Sequence, residues 1–328
     1  MKLTVTRTAL IPWALMALTM TDADAGAMPT PEPGGETIAL WPAGSPGADR
    51  VQVTESLTER APDGPLRDRI AEHVTRPQLT LVHAKGSPNG ITLLIVPGGG
   101  YVRVVIDKEG FETAEWFAQR GFECAVLRYR LPADGWTAGP DAPVHDAMRA
   151  LRLLRQQRAA TPNARFGVMG FSAGGHLVAR LVTEPGLAYP RQDATDDLSA
   201  RADFAVLMYP VILTEGAAAH SGSVKQLLAA GVPADELQRF SPQLNVSTQT
   251  PPTLLVHAAD DQSVPVENSL AMYSALLAAH VRSELHVFDR GGHGFGLRGV
   301  NGIDAAAWPQ LVENWARSVT RNDPHAGR

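Results

Sequence analysis

Arg165-Phe166-Gly167-Val168-Met169-Gly170-Phe171-Ser172-Ala173-Gly174-Gly175-His176 is the stretch on which the reading of this chain turns. A short β-rich run, 166–169, leads through Gly-x-Ser-x-Gly into a helical stretch over 173–183. In a strand–turn–helix of this kind the serine takes a strained, positive-φ backbone, so that its Oγ stands above the sheet edge. Side chains two positions before and after it would collide, and Gly170 and Gly174 occupy those places. The helix that follows aims its first N–H groups and its positive dipole end at the same spot. Ser172 is therefore the candidate nucleophile.

A serine hydroxyl attacks only after a base takes its proton. With this motif, the acid and then the histidine follow later in the chain. The β-rich run 253–257 is followed by Ala258-Ala259-Asp260-Asp261, and the run 285–288 by Asp289-Arg290-Gly291-Gly292-His293-Gly294. Both loops leave the carboxyl ends of strands, where open α/β sheets place their sites. We take Asp261 as the acid, with Asp260 as the alternative, and His293 as the base. His83, His257 and His286 lie within strands, and His176 lies inside the helix after the serine, so these read as structural. A third element is Gly98-Gly99-Gly100 after the run 91–96. Glycine N–H groups free of side-chain hindrance, with the N–H of Ala173, make a candidate oxyanion hole. The run lacks the lysine and Ser/Thr of a phosphate loop and the spacing of a dinucleotide fingerprint.

Working outward, β-rich runs at 79–83, 91–96, 124–129, 166–169, 204–209, 253–257 and 285–288 alternate with helical stretches at 143–159, 173–183, 266–280 and 304–320. This alternation predicts a mostly parallel sheet covered on both faces by helices, without a large separate cap domain. On the first helix, Arg149 and Arg152 fall opposite the apolar side, with Arg155 and Arg158 on its flank, and the row reads as a solvated face. The polar connection 185–202, with 212–250, is expected to contribute at most a small lid. Cys124, in an apolar strand, reads as a packed core thiol.

Composition bounds the classes. The chain has 328 residues, 44% hydrophobic, with one cysteine and a formal net charge of −5. A disulfide scaffold is excluded, no Cys/His cluster has zinc spacing, and nucleic acid is an unsuitable partner for a mildly acidic chain. Lys2 and Arg7 precede an apolar stretch over 9–20 and an Ala23-Asp24-Ala25 site, which predicts an export signal over 1–25 and no stable membrane insertion. The Pro/Gly-rich stretch 26–50 is expected to wrap the surface without regular structure. One catalytic domain is expected over 51–322, with a short tail at 323–328.

Ser172, Asp261 and His293, with the glycine run, resemble the α/β-hydrolase superfamily. Leu40-Trp41-Pro42, Pro97 to Tyr101, Tyr129-Arg130-Leu131-Pro132, Pro251-Pro252, Val264-Pro265-Val266-Glu267-Asn268 and Gly292-His293-Gly294-Phe295 extend the likeness over most of the chain. Within the superfamily the chain is similar to exported acetylxylan-esterase-like and hormone-sensitive-lipase-like esterases. The resemblance implies an α/β-hydrolase fold, a serine mechanism needing no metal or organic cofactor, and acetyl esters of carbohydrate as substrates. It also points to Gly99 and Gly100 as oxyanion donors. Pro97 stands where the lipase-like group has histidine, and having no N–H it donates nothing. Tyr101 and Trp136 are candidates to line the substrate cleft, because aromatic faces suit sugar rings, with loop packing the preferred role for Trp136. The competing readings are a general short-chain or feruloyl-type esterase and an inactive hydrolase scaffold that binds a partner.

Overall fold

Strands β5 (Ile91–Val96) and β8 (Arg165–Phe171) lie side by side in the middle of an eight-stranded sheet. The computed structural model describes residues 35–184 and 186–321. The expected export signal, the tail at 323–328 and the first part of the stretch 26–50 lie outside the described residues.

The sheet runs β1 (Thr37–Ala39), β4 (Gln78–Val82), β7 (Glu123–Arg128), β5, β8, β9 (Phe204–Met208), β10 (Thr253–Ala258), β11 (Ser283–Phe288). From β7 to β11 all neighbours are parallel, whereas β4 runs antiparallel to both β7 and β1. Every residue of β5, β9 and β10 is buried, as unbroken apolar strands require when both faces are covered. Consecutive strand residues point to opposite faces. At the end of β8, a Cβ on Gly170 would meet Val178 of helix α3 (Ala173–Thr183), while the Phe171 ring meets Trp308 of helix α6 (Trp308–Thr320). Helix α2 (Ala142–Gln157) packs beside α3, and helix α1 (Glu112–Ala118) meets α6 through Phe117 and Trp308. Helix α5 (Glu267–Ala278) packs on β10 and β11. The sheet is mostly parallel, as the alternation predicts, and the fold is the α/β-hydrolase fold that the resemblance implies.

Three features depart from the sequence reading. First, the stretch 26–50 is not wholly irregular: β1 extends the sheet, Leu40 and Trp41 are buried, and Trp41 Nε1 donates to Asp146 Oδ1 at 2.7 Å. A three-residue strand among prolines and glycines is too short to show a period. Second, the arginine row of α2 is not solvated. Arg149 is 1% exposed and donates to Asp193 at 2.5 and 2.8 Å and to Asp196 at 2.9 Å, while Arg152 Nε donates to Leu198 O. The connection after α3 crosses this face and covers it, which the periodicity of one helix does not record. Third, a small antiparallel sheet of β2 (Ser56–Glu59), β3 (Arg69–Glu72) and β6 (Val104–Val105) was not foreseen. Cys124 is buried in β7, and burial pushes its thiol well up.

Candidate active site

The turn between β8 and α3 carries Ser172 at φ 53° and ψ −118°. Its N–H donates to Met208 O at 2.9 Å, and its carbonyl accepts from His176 N and Val211 N at 3.1 Å, so the neighbouring strand and the helix hold the unusual backbone. The glycines are required by contact: a Cβ at Gly170 would stand 2.3 Å from Gly174 O, and one at Gly174 2.3 Å from Val96 O. Both distances are shorter than any side chain tolerates.

Ser172 Oγ lies 2.9 Å from His293 Nε2, and His293 Nδ1 lies 2.7 Å from Asp261 Oδ2. Asp261 follows β10 and His293 follows β11, and the parallel register of those strands brings the two loops together. Oδ1 of Asp261 accepts from the N–H groups of Ser263 and Val264, both at 2.9 Å. Burial raises the pKa of this carboxyl, but hydrogen bonds from His257 and His293 and from the Val264 N–H outweigh it and hold the group well below the usual carboxylate range. His257 packs beneath: its Nε2 meets Val264 O at 2.9 Å and stands 3.4 Å from Asp261 Oδ2, and its Nδ1 meets Ser269 Oγ. Since a carbonyl only accepts, Nε2 carries the hydrogen and Nδ1 accepts the serine proton. Asp260 is exposed and accepts from Gly292 N at 2.7 Å, a loop bond.

Gly98, Gly99 and Gly100 run beside the serine. The Gly98 N–H is taken by Glu109 Oε2 at 2.7 Å. The N–H groups of Gly99, Gly100 and Ala173 have no acceptor among the described residues, and Gly99 and Gly100 border the cleft with Ser172 and His293. Gly99 sits at φ +132°, and a Cβ there would come within 2.3 Å of Arg103 O.

Sequence reasoning missed Glu109. It is buried in a π-helical turn (Ile106–Phe111), with Oε2 on Gly98 N and Oε1 accepting from Tyr209 OH at 3.0 Å. Burial raises its pKa, against the opposing pull of the Gly98 N–H and of His293. An acid between a lysine and a glycine looks like surface, and no spacing marks it. Neither Tyr101 nor Trp136, the two candidates for the cleft, is in its lining, and Trp136 is packed, the role preferred for it. Tyr101 is 3% exposed, its hydroxyl 2.8 Å from His176 Nδ1, whose Nε2 bonds Phe240 O at 2.7 Å. Burial and the Arg180 guanidinium push His176 down to about 3, so this ring stays a neutral strut. Trp136 is 4% exposed with the Arg130 guanidinium 4.9 Å from its ring. In both cases the apolar ring found more burial in the core than over the cleft.

A family model described as BD-FAE, an α/β-hydrolase esterase family, matches residues 81–276. Endo-1,4-beta-xylanase B of Butyrivibrio fibrisolvens is 34% identical over 204 residues, covering 62% of this chain and 32% of that protein. Acetylxylan esterase of Xylanibacter ruminicola is 31% identical over 243 residues, 71% of this chain and 46% of that protein. The chain thus spans between about a third and about a half of the curated relatives it matches. The crystal structure of an acetyl ester-xyloside bifunctional hydrolase from Caldicellulosiruptor lactoaceticus aligns with a TM-score of 0.69 at 34% identity, over 88% of this chain and 97% of that one. With the model covering well over half of its length, the chain belongs to the BD-FAE family of α/β-hydrolases.

Proposed function

We propose that the protein is a serine esterase that removes acetyl groups from carbohydrate, with acetylated xylan as its substrate. The observation that carries this reading is the hydrogen-bonded series Ser172–His293–Asp261 beside the unengaged N–H groups of Gly99, Gly100 and Ala173. Ser172 Oγ attacks the ester carbonyl while His293 Nε2 takes its proton, and the carbonyl oxygen, now negative, is received by the three N–H groups. As the tetrahedral intermediate collapses, His293 gives the proton to the departing sugar oxygen, leaving an acetyl-enzyme. Water then attacks, again deprotonated by His293, and acetate leaves as the proton returns to Ser172 Oγ. Asp261 keeps Nδ1 protonated and stabilises the imidazolium formed in each half-reaction. The carbohydrate part of the proposal is supported by what the relatives are named for: acetylxylan in one, an acetyl ester and a xyloside in another. The basic, then apolar, then small-residue pattern of residues 1–25 supports export, and among the described residues no helix is long and apolar enough to cross a membrane.

The test is acetate release from acetylated xylo-oligosaccharides by the wild type and by Ser172→Ala. The wild type is expected to release acetate and the variant to lose about 10⁴-fold or more of kcat. Release that survives in the variant would remove Ser172 from the mechanism. No release by a folded wild type that still cleaves aryl acetates would remove the xylan substrate and leave a simpler esterase.

A further inference from the structure

The cleft that holds Ser172 and His293 has a volume of about 530 Å³, many times what a two-carbon acyl group fills. With an acetyl ester bound, most of that volume is left for the alcohol side of the ester. The cleft wall is cationic. Arg103, Lys108 and Lys225 line it, and none of the three has an ion-pair or hydrogen-bond partner for its charged group among the described residues. Arg60 also lines the cleft, but it is matched by Asp68 at 2.7 Å. Among the described residues the one carboxylate in the lining is Glu109, which is buried with both oxygens already engaged.

This is not spillover from a basic protein, because the chain carries 29 basic against 34 acidic residues. Nor does it come from one basic segment. Arg103 follows the glycine run, Lys108 lies in the π-helical turn, and Lys225 sits on helix α4 (Ser221–Ala229), more than a hundred residues away in sequence. Separate parts of the fold bring like charges to one concave surface, an arrangement that repels itself unless an anion is received there. A neutral sugar offers these groups only hydroxyls, whereas a carboxylate offers charge-assisted hydrogen bonds.

Resting on the carbohydrate-esterase reading above, we propose that the cleft selects acetylated chains that carry a carboxylate, that is, uronic-acid-bearing oligosaccharides, with Arg103, Lys108 and Lys225 receiving the acid on the sugar side of the ester.

The experiment compares kcat/KM of the full chain on uronic-acid-bearing acetylated xylo-oligosaccharides with the same preparation after its carboxyls are reduced to alcohols. The acidic form is expected to be favoured about tenfold at low ionic strength, mainly through KM, since each exposed charge pair contributes a factor of about two to four. The preference shrinks toward parity in about 0.5 M salt, where screening is short-ranged. Lys225→Gln and Lys108→Gln each lower the acidic-to-reduced ratio about two- to threefold, and Lys225→Glu lowers it further. Equal rates on the two forms would overturn the proposal while leaving the acetylxylan reading intact. Cleavage of neither form by an enzyme active on aryl acetate would overturn both. A preference for an aryl hemisuccinate over the aryl acetate, without one between the oligosaccharides, would overturn the sugar-side placement and move the anion to the acyl group.

Discussion

Two groups of cations on this molecule have opposite fates. Behind α2, Arg130 and Arg149 flank Trp41 with their guanidinium carbons 5.5 and 5.6 Å from its ring, and their charges are met by Asp146 and by Asp193 and Asp196. At the cleft, among the described residues, Arg103, Lys108 and Lys225 have no carboxylate in the lining with them but the occupied Glu109. The sealed group acts on the chain itself, tying the Leu40–Trp41 segment to α2, and its charges are lost to any ligand. The open group makes no ion pair or side-chain hydrogen bond among the described residues and keeps its charge available. His293 belongs to a third kind under the proposed mechanism, a cation only during turnover, with Asp261 as its partner.

The contrast gives three ways to break it. The largest effect is expected from Asp261→Asn, which leaves the transient imidazolium without its carboxylate and disturbs the His293 tautomer. We expect kcat on aryl acetates to fall by about 10³- to 10⁴-fold. A loss under about tenfold, an order of magnitude being only some 1.4 kcal/mol, would separate Asp261 from the mechanism. Next is Asp146→Ala, which strands Arg130 in the interior. Asp146 accepts from Trp41 Nε1, Arg130 N–H and the Arg130 guanidinium, and removing one partner of a buried pair costs about 3–5 kcal/mol. Urea unfolding reads this directly, and a loss below about 1 kcal/mol, the range of exposed pairs, would show that the group is not sealed. The smallest effect is Lys225→Gln, expected to leave unfolding stability within about 0.5 kcal/mol of wild type. A clear destabilisation there would mean that the open cations also carry structure.

How much of this was legible depended on whether the signal was local. A strand, Gly-x-Ser-x-Gly and a helix are contiguous, so the turn at Ser172 could be read directly, and the loops after β10 and β11 followed from chain order. The meeting of Ser172, His293 and Asp261 within hydrogen-bond distance is a consequence of parallel register, which places consecutive loops at one end of the sheet. What the sequence did not disclose is long-range. Arg149 looked solvated because its carboxylates lie more than forty residues away. Glu109 looked like surface because its partners are a backbone N–H of the glycine run and a tyrosine at the end of β9. Tyr101 had the right chemistry for a cleft, yet the core offered its ring greater burial.

The excursion between β9 and β10 has its own small apolar cluster of Leu227, Val232, Leu237 and Phe240, apart from the main core. It also supplies His220, Gly222, Lys225 and Gln226 to the cleft. Local stability follows local packing, so substitutions within this cluster are felt there before they reach the strands that seat Ser172 and His293. The molecule is therefore modular in its packing: a frame seats Ser172 and His293, and a separately packed wall borders the same cleft and can be altered without disturbing that seat.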